Sequence, residues 1–498
     1  SCVIIVTKLI GEIMHFSVNK KTKSVVRLIL ASVLLLSLPF LVKGAGILIL
    51  FALTPLLMLE NYIENNKIPF SWLIIFVVFF IWTAATTYWV AYANFKGAIA
   101  SMLMYSFALT VITKLYGWFK SRQGRVVGYA FFITAWLSWE HIMADGEINL
   151  LWLALGNGFA SLHRVVQWYE FTGVAGGSLW ALLFSVLAYD TIISRGNCAA
   201  PQMRARNITL VLLLIVPVYI SHALYITYEE SSENASFLII QPNIDPYNDK
   251  FGGMTQREQD EILINLLNEG YDKSLDFVIG PETFTAGIIE NNPYESDSFT
   301  RFANAAKGLG EAKIIIGAST HYLYPKEGYS PDIKPLSSSR KIGTGWYDSH
   351  NSAILLDSSG RYQFYYKSKL VPLVEYMPFQ KYMDGLRMFV IELGGYFGSY
   401  GVQKERSVFH SSDSGIRIGT AICYESVYGN FYREFILKGA NVMSIITNDG
   451  WWLNSPGYKQ HLWFDKLRAI ETRRSIARCG NTGVSALINQ KGDIVSQT

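Results

Sequence analysis

The chain has 498 residues, half of them hydrophobic and 16% charged, where an ordinary soluble protein carries about 25% charged residues. A net charge of +4 with no clustered basic stripe gives no footprint for nucleic acid. Four cysteines (Cys2, Cys198, Cys423, Cys479) without CxxC spacing, and scattered histidines without HExxH, argue against zinc, a disulfide framework or another metal centre.

The charge deficit is concentrated in the first half. Residues 1–24 read as a cytoplasmic segment, with Lys20, Lys21 and Lys23 at its end. The chain starts at Ser1, and residues 1–13 are expected to be an upstream extension before a natural start at Met14. Apolar stretches follow at about 25–42, 45–59, 72–93, 98–118, 126–143, 174–193 and 208–228. A helix needs about 20 residues to cross the hydrocarbon core. Five stretches meet that easily. The first two are short and divided only by Lys43 and Gly44, so they form either a hairpin or one broken span. The loops choose. Lys120, Arg122 and Arg125 in one, and Arg195, Arg204 and Arg206 in another, place both in the cytoplasm by the positive-inside rule. About seven spans across 25–228 then leave residues 229–498 outside the cytoplasm. The outer loop 144–172 is too long for a plain connection. Its Trp152, Trp168, Tyr169 and Phe171 suit an interfacial belt or the wall of a lipid-entry cleft. Gly173 and Gly177 form a GxxxG, read as close helix packing.

From Phe237 the pattern changes to short apolar strands, at 237–241, 276–280, 313–318, 352–357, 416–423, 441–447 and 484–489. Helical stretches at 255–270, 298–307, 430–438 and 459–478 alternate with them. That alternation predicts a layered α/β domain, with turns at 481–483 and 490–492 around a final hairpin.

Three groups in this domain stand at predicted strand ends. Glu282 closes Phe277-Val-Ile-Gly-Pro-Glu, Lys367 lies in Tyr365-Tyr-Lys-Ser-Lys-Leu, and Cys423 ends Arg417-Ile-Gly-Thr-Ala-Ile-Cys. A thiol that attacks, a carboxylate that moves its proton and a cation that steadies an oxyanion make an acyl-transfer set. A lone buried cysteine is more often inert core, and a lysine in a charged stretch is more often solvated. Alternation puts Lys367 and Lys369 on one strand face, so periodicity does not choose between them. Cys479 lacks charged partners in sequence and reads as structural. The segment 371–400, with Tyr376, Phe379 and seven other aromatic or methionine residues, reads either as core or as a lid that shields an acyl chain from water. A fatty chain moved into water loses about 0.8 kcal/mol per CH₂. Trp451 and Trp452 suit the rim of such a path.

These strings resemble the Glu–Lys–Cys carbon–nitrogen hydrolase (nitrilase) superfamily in kind and order. Gln241-Pro-Asn-Ile, Leu370-Val-Pro-Leu-Val-Glu-Tyr-Met-Pro378, Thr447-Asn-Asp-Gly-Trp-Trp452 and Arg478-Cys-Gly-Asn-Thr-Gly483, behind seven spans, resemble its membrane-anchored branch, the apolipoprotein N-acyltransferases of the bacterial inner membrane. The resemblance implies an αββα sandwich on the periplasmic side and no cofactor. It implies transfer of an acyl chain from a phospholipid in the bilayer to the α-amine of a diacylglyceryl-cysteine on an apolipoprotein, through a thioester. In that reading Cys423 is the nucleophile, Glu282 the base and Lys367 the oxyanion stabiliser, with Glu375, Tyr424 and Glu425 supporting. A membrane-anchored amidase and a non-catalytic lipoprotein-binding protein are the rival readings. Related proteins usually end with a further span, so the chain is expected either to be cut short of it or to be held by seven. Gly450 and Trp452 also depart from what relatives often carry, which puts the shape of that loop in question.

Overall fold

A computed structural model of the chain describes residues 20–148, 150–196, 198–250, 252–325, 334–376, 378, 399–411 and 415–498. It divides into two compact units. The first comprises residues up to 86, 102–139 and 178–216. The second comprises 87–101, 140–177 and 217–498, so two loop segments of the membrane half belong with the α/β domain.

All seven apolar stretches are helical: α1 Lys20–Leu41, α2 Leu53–Asn65 after a 3₁₀ turn at Gly46–Phe51, α3 Ser71–Thr87, α4 Phe95–Gln123, α5 Arg125–Asp145, α6 Tyr169–Ile193 and α7 Ala200–Thr227. Among the described residues, five helices are long and apolar enough to cross a membrane: Lys21–Leu41, Gly46–Asn65, Phe95–Gln123, Tyr169–Ile193 and Ala200–Thr227. The first two stretches form a hairpin, turned at Gly44 with φ +89°. Within the first unit, ion pairs tie helix ends together. Lys120 Nζ lies 2.9 Å from Glu64, and Arg206 and Arg125 lie 2.9 and 3.4 Å from Asp190. Lys114 and the buried Glu60 pair at 2.9 Å, where a Cβ on Gly117 would meet Glu60 Oε1 at 2.6 Å. A buried charge survives in such surroundings because it is paired.

The GxxxG reading needs correction. Gly173 (φ +61°) breaks the helix instead of packing a face of it. The close approach is at Gly177, whose Cβ would overlap the Tyr169 hydroxyl. That hydroxyl donates to the Gly156 carbonyl at 2.8 Å.

The α/β domain has two sheets. The first runs β1 (Phe237–Ile239), β2 (Phe277–Ile279), β4 (Lys313–Leu323), β6 (Gly345–Leu356), β5 (Arg340–Ile342), with β3 (Thr285–Ile289) on β4 and β7 (Tyr362–Tyr366) on β6. The second runs β13 (Ile494–Gln497), β12 (Ala486–Ile488), β11 (Ile476–Gly480), β10 (Val442–Thr447), β9 (Arg417–Ile422), β8 (Phe409–His410). Helices α8 (Gln256–Gly270) and α9 (Asp297–Lys307) cover the first sheet, through a core that includes Leu263, Leu267, Phe299, Phe302, Ile314 and Ile316. Thr255 and Glu258 form a capping box that starts α8. Helices α10 (Gly429–Leu437) and α11 (Pro456–Thr472) serve the second sheet. This is the expected αββα sandwich. Strands β9 and β10 are buried almost throughout, as parallel strands covered on both faces must be.

One helix is shorter than its apolar pattern. The apolar pattern 459–478 predicts a single helix, but α11 stops at Thr472. Arg473 takes φ +48°, and Ile476–Gly480 pairs in parallel with β10 as Met443↔Ile476 to Thr447↔Gly480. Cys479, fully buried, donates its thiol to the carbonyls of Ile240 and Ile279 and so links the two sheets.

Candidate active site

Strand ends deliver the three predicted groups. Glu282 follows β2, Lys367 follows β7 and Cys423 follows β9. Lys367 Nζ lies 2.9 Å from Glu282 Oε1 and 2.8 Å from Glu375 Oε1, with the lysine 1% exposed. Asn351 Nδ2 donates to the same two oxygens at 2.8 and 3.1 Å, and the Val371 N–H holds the other oxygen of Glu375 at 2.8 Å. One ammonium therefore faces two buried carboxylates. Lys369 goes elsewhere: its Nζ donates to the Ala144 carbonyl at 2.8 Å and pairs with Asp145 at 3.5 Å.

The electrostatics follow from that arrangement. Burial opposes the charge of Lys367, but Glu282 and then Glu375 outweigh it and hold the ammonium well above its ordinary value. Burial also opposes ionisation of Glu282. Lys367, with Asn351 and Lys250, wins and keeps that carboxyl below the usual range. Desolvation, and then the negative charge of Glu282, pushes the Cys423 thiol well up, against the pull of Lys367. The resting site is thus a neutral thiol beside an ionised carboxylate.

Cys423 adopts φ +50°, a left-handed conformation that costs a non-glycine residue about 1–2 kcal/mol. Glu425 secures this turn. Its Oε2 accepts Ile422 N–H at 2.8 Å, and its Oε1 accepts Ser368 N–H at 2.7 Å and the Tyr365 hydroxyl at 2.8 Å. Glu425 therefore joins the Cys423 turn to the strand that leads to Lys367. Tyr424 is 7% exposed and lies parallel to Trp152, with centroids 6.5 Å apart. Trp452 lies 4.7 Å from Trp89 and 5.6 Å from Trp152, while Phe464 is 5.0 Å from Trp152. Trp152 is thus part of an aromatic wall beside the Cys423 turn, whereas Phe171 is 72% exposed. Trp451 accepts the Tyr247 hydroxyl at its carbonyl, at 2.7 Å, and the Tyr376 hydroxyl donates to the Glu147 carbonyl. Phe379 and most of the aromatic segment 371–400 lie outside the described residues.

Sequence reasoning missed several residues here. Asn351 sits mid-strand in β6 with nothing local to mark it. Lys250 is buried, and its ammonium donates to the Glu282 carbonyl and Thr283 Oγ1, both at 3.2 Å. Thr283 itself has φ +46°, so Glu282, like Cys423, stands in a strained turn held by buried polar groups.

The Carbon-nitrogen hydrolase family model matches residues 258–498, and the model of the Apolipoprotein N-acyltransferase N-terminal domain matches residues 32–187. The chain is 29% identical over 469 residues to an Apolipoprotein N-acyltransferase of Chlorobaculum tepidum, covering 90% of this chain and 83% of that one. It is 27% identical over 390 residues to one of Geobacter metallireducens (76% and 68%), and 23% identical over 501 residues to Apolipoprotein N-acyltransferase 1 of Treponema denticola (92% and 87%). With both family models matched in order along one chain, this protein belongs to the apolipoprotein N-acyltransferase family of the carbon–nitrogen hydrolase superfamily.

Proposed function

We propose that the protein moves an acyl chain from a membrane phospholipid to the α-amine of the N-terminal diacylglyceryl-cysteine of apolipoproteins, through a thioester on Cys423. The observation that carries this reading is the buried ammonium of Lys367 held between Glu282 and Glu375, with Glu425 joining the adjacent strand to the Cys423 turn. As the thiol attacks the ester carbonyl, its proton passes to Glu282. Glu282 is then neutral and releases part of its hold on Lys367, whose ammonium turns to the forming oxyanion. Collapse expels the lysophospholipid alkoxide, which takes the proton from Glu282. In the second half-reaction the acceptor amine attacks the thioester, Glu282 removes the proton from the amine, and the Cys423 thiolate leaves and is reprotonated.

The catalytic face is proposed to be periplasmic, in the bacterial inner membrane, with seven spans. The pairs Glu64–Lys120, Asp190–Arg125 and Asp190–Arg206 support that parity, because they gather the ends of α2, α4 and α6 with the starts of α5 and α7. Those ends carry the basic loops.

The test is incubation with phospholipid alone. Wild-type protein accumulates one acyl adduct on Cys423 and releases one lysophospholipid per site, and a diacylglyceryl-cysteine peptide then discharges the adduct as N-acylated product. Cys423→Ser forms no adduct that turns over, while Cys479→Ser keeps most activity. Steady release of free fatty acid without acceptor, with no trapped adduct, would sink the transferase reading in favour of a hydrolase.

A further inference from the structure

Behind the nucleophile lies a fully buried polar cluster that the mechanism above does not use. His461, on α11, is 0% exposed. Its Nε2 is 3.3 Å from the Cys423 carbonyl oxygen and 3.0 Å from Ser426 Oγ. Its Nδ1 is 3.0 Å from Asp449 Oδ1 and 3.1 Å from Arg478 Nη2. Arg478 in turn donates to Asp449 Oδ2 at 2.7 Å, Asp465 at 2.5 Å and the Val484 carbonyl at 2.6 Å. Thr447 donates to Asp449 Oδ1 at 2.8 Å. Trp152 and Trp452 pack on the imidazole at 5.8 and 5.5 Å. The ring is therefore held at Nδ1 and on its faces, with Nε2 aimed at the backbone of the nucleophile.

We propose that His461 is a positioning residue that donates Nε2–H to the Cys423 carbonyl and so holds the Cys423–Tyr424 peptide group, while Arg478, itself held by Asp449, donates to Nδ1. A peptide group is planar. Anchoring the Cys423 carbonyl therefore also sets the direction of the Tyr424 N–H. The left-handed turn at Cys423 needs such restraint, because a strained residue persists only where its surroundings over-determine it. Glu425 restrains the turn at Ile422 N–H, and His461 restrains it at the next peptide but one. Without His461 this peptide is freer to rotate, and the thiol and the Tyr424 N–H lose their alignment. The chemical consequence rests on the thioester reading above; the positioning does not.

The experiment uses full-length protein in phospholipid–detergent micelles. Wild type is compared with His461→Gln, His461→Asn and Ser426→Ala. A glutamine amide places an N–H near Nε2, whereas an asparagine amide places one near Nδ1. Two rates are followed by mass spectrometry: alkylation of Cys423 by iodoacetamide, and acyl-Cys423 formation from phospholipid. His461→Gln and Ser426→Ala should stay within about threefold of wild type in both. His461→Asn should fall at least about tenfold in both, with the apparent KM for phospholipid unchanged. Equal rates for His461→Gln and His461→Asn overturn the assignment, because loss of ring packing is common to both. Should His461→Asn not fold, His461→Gln decides alone: a near-normal rate supports the role, and a tenfold loss overturns it. If the alkylation rates follow the expected order but no acyl adduct ever forms in wild type, the thioester reading fails and the positioning role stands.

Discussion

Lys367 is the residue on which the site turns. Removing one partner of a buried ion pair costs about 3–5 kcal/mol, and here one lysine serves two carboxylates. Lys367→Met should therefore lower the unfolding midpoint in detergent and also end acyl-enzyme formation. With Lys367 in the proposed role of oxyanion donor, its loss should slow chemistry about 10²–10³-fold. Lys367→Arg should be nearly as inactive, because a planar fork does not replace a compact ammonium packed between Glu282, Glu375 and Asn351. Thermal unfolding and acyl-adduct mass read the two effects separately, and an active Lys367→Arg enzyme would contradict this account. Periodicity left Lys367 and Lys369 level, since both fall on one face of the strand, and the family resemblance favoured Lys367. Their different partners depend on where Glu375 and Ala144 come to lie, at 8 and 225 residues' separation.

At the scale of elements, β4 supports Glu282. A Cβ on Gly317 would come within 2.5 Å of the Pro281 carbonyl oxygen, 2.6 Å of Glu282 Cα and 2.7 Å of Thr283 N. Backbone cannot swing aside as a side chain can, so Gly317→Ala should displace the Glu282 turn. Overpacking of this kind costs about 1–3 kcal/mol, and a shift of about 1 Å at a catalytic group can cost 10²-fold in rate. Gly280→Ala should be milder, since its Cβ would meet only the side chains of Leu263 and Ile316, at 3.1 and 3.3 Å. Acyl-adduct formation rates for the two variants check the contrast. A second element carries a pH dependence. In the 3₁₀ segment Leu155–Val165, burial and then Lys466 push His163 down from 6.5 to about 4, against the pull of Asp493 at 2.9 Å. Between those values the unfolded chain binds more protons than the folded one. This group's contribution is therefore fully present above about pH 6.5 and is lost as pH falls toward 4. The unfolding midpoint should drop between pH 7 and pH 4.5, and His163→Gln should flatten part of that slope. An unchanged slope would remove His163 from the explanation. The helices and the longer buried strands of this domain were readable from periodicity, because both periods are local, whereas the short strands β3, β5, β7 and β8 carry too few residues to show a period. The misjudged helix 459–478 shows the limit: Ile476–Gly480 is apolar enough for either state, and pairing with β10 decides for the strand.

For the whole molecule, the proposed orientation puts Cys198 and the loops around Arg122 and Arg204 in the cytoplasm. A membrane-impermeant thiol reagent on intact spheroplasts should spare Cys198 and cysteines placed near Arg122, and label one placed near Glu233. Labelling of Cys198 without permeabilisation would reverse the topology and deny the site its exported substrates. Helix α7 fits a lipid-facing position, since Ile208, Val211, Ile215 and Tyr219 are 52–71% exposed along it. By itself, the sequence determined that an apolar helical half precedes an α/β half, and that a thiol, a carboxylate and an ammonium stand at strand ends in a familiar order. Those properties are written in local composition, in periods of 3.6 and 2, and in short strings. Only the tertiary structure decided that Asn351 bridges both carboxylates, that Glu425 is a brace for the Cys423 turn, and that Trp152 forms a wall beside it. It alone brought His461, Asp449 and Arg478 behind Cys423. None of these leaves a local pattern, because each depends on side chains far apart in the chain meeting where water is excluded, and there an unpaired polar group is too costly to keep.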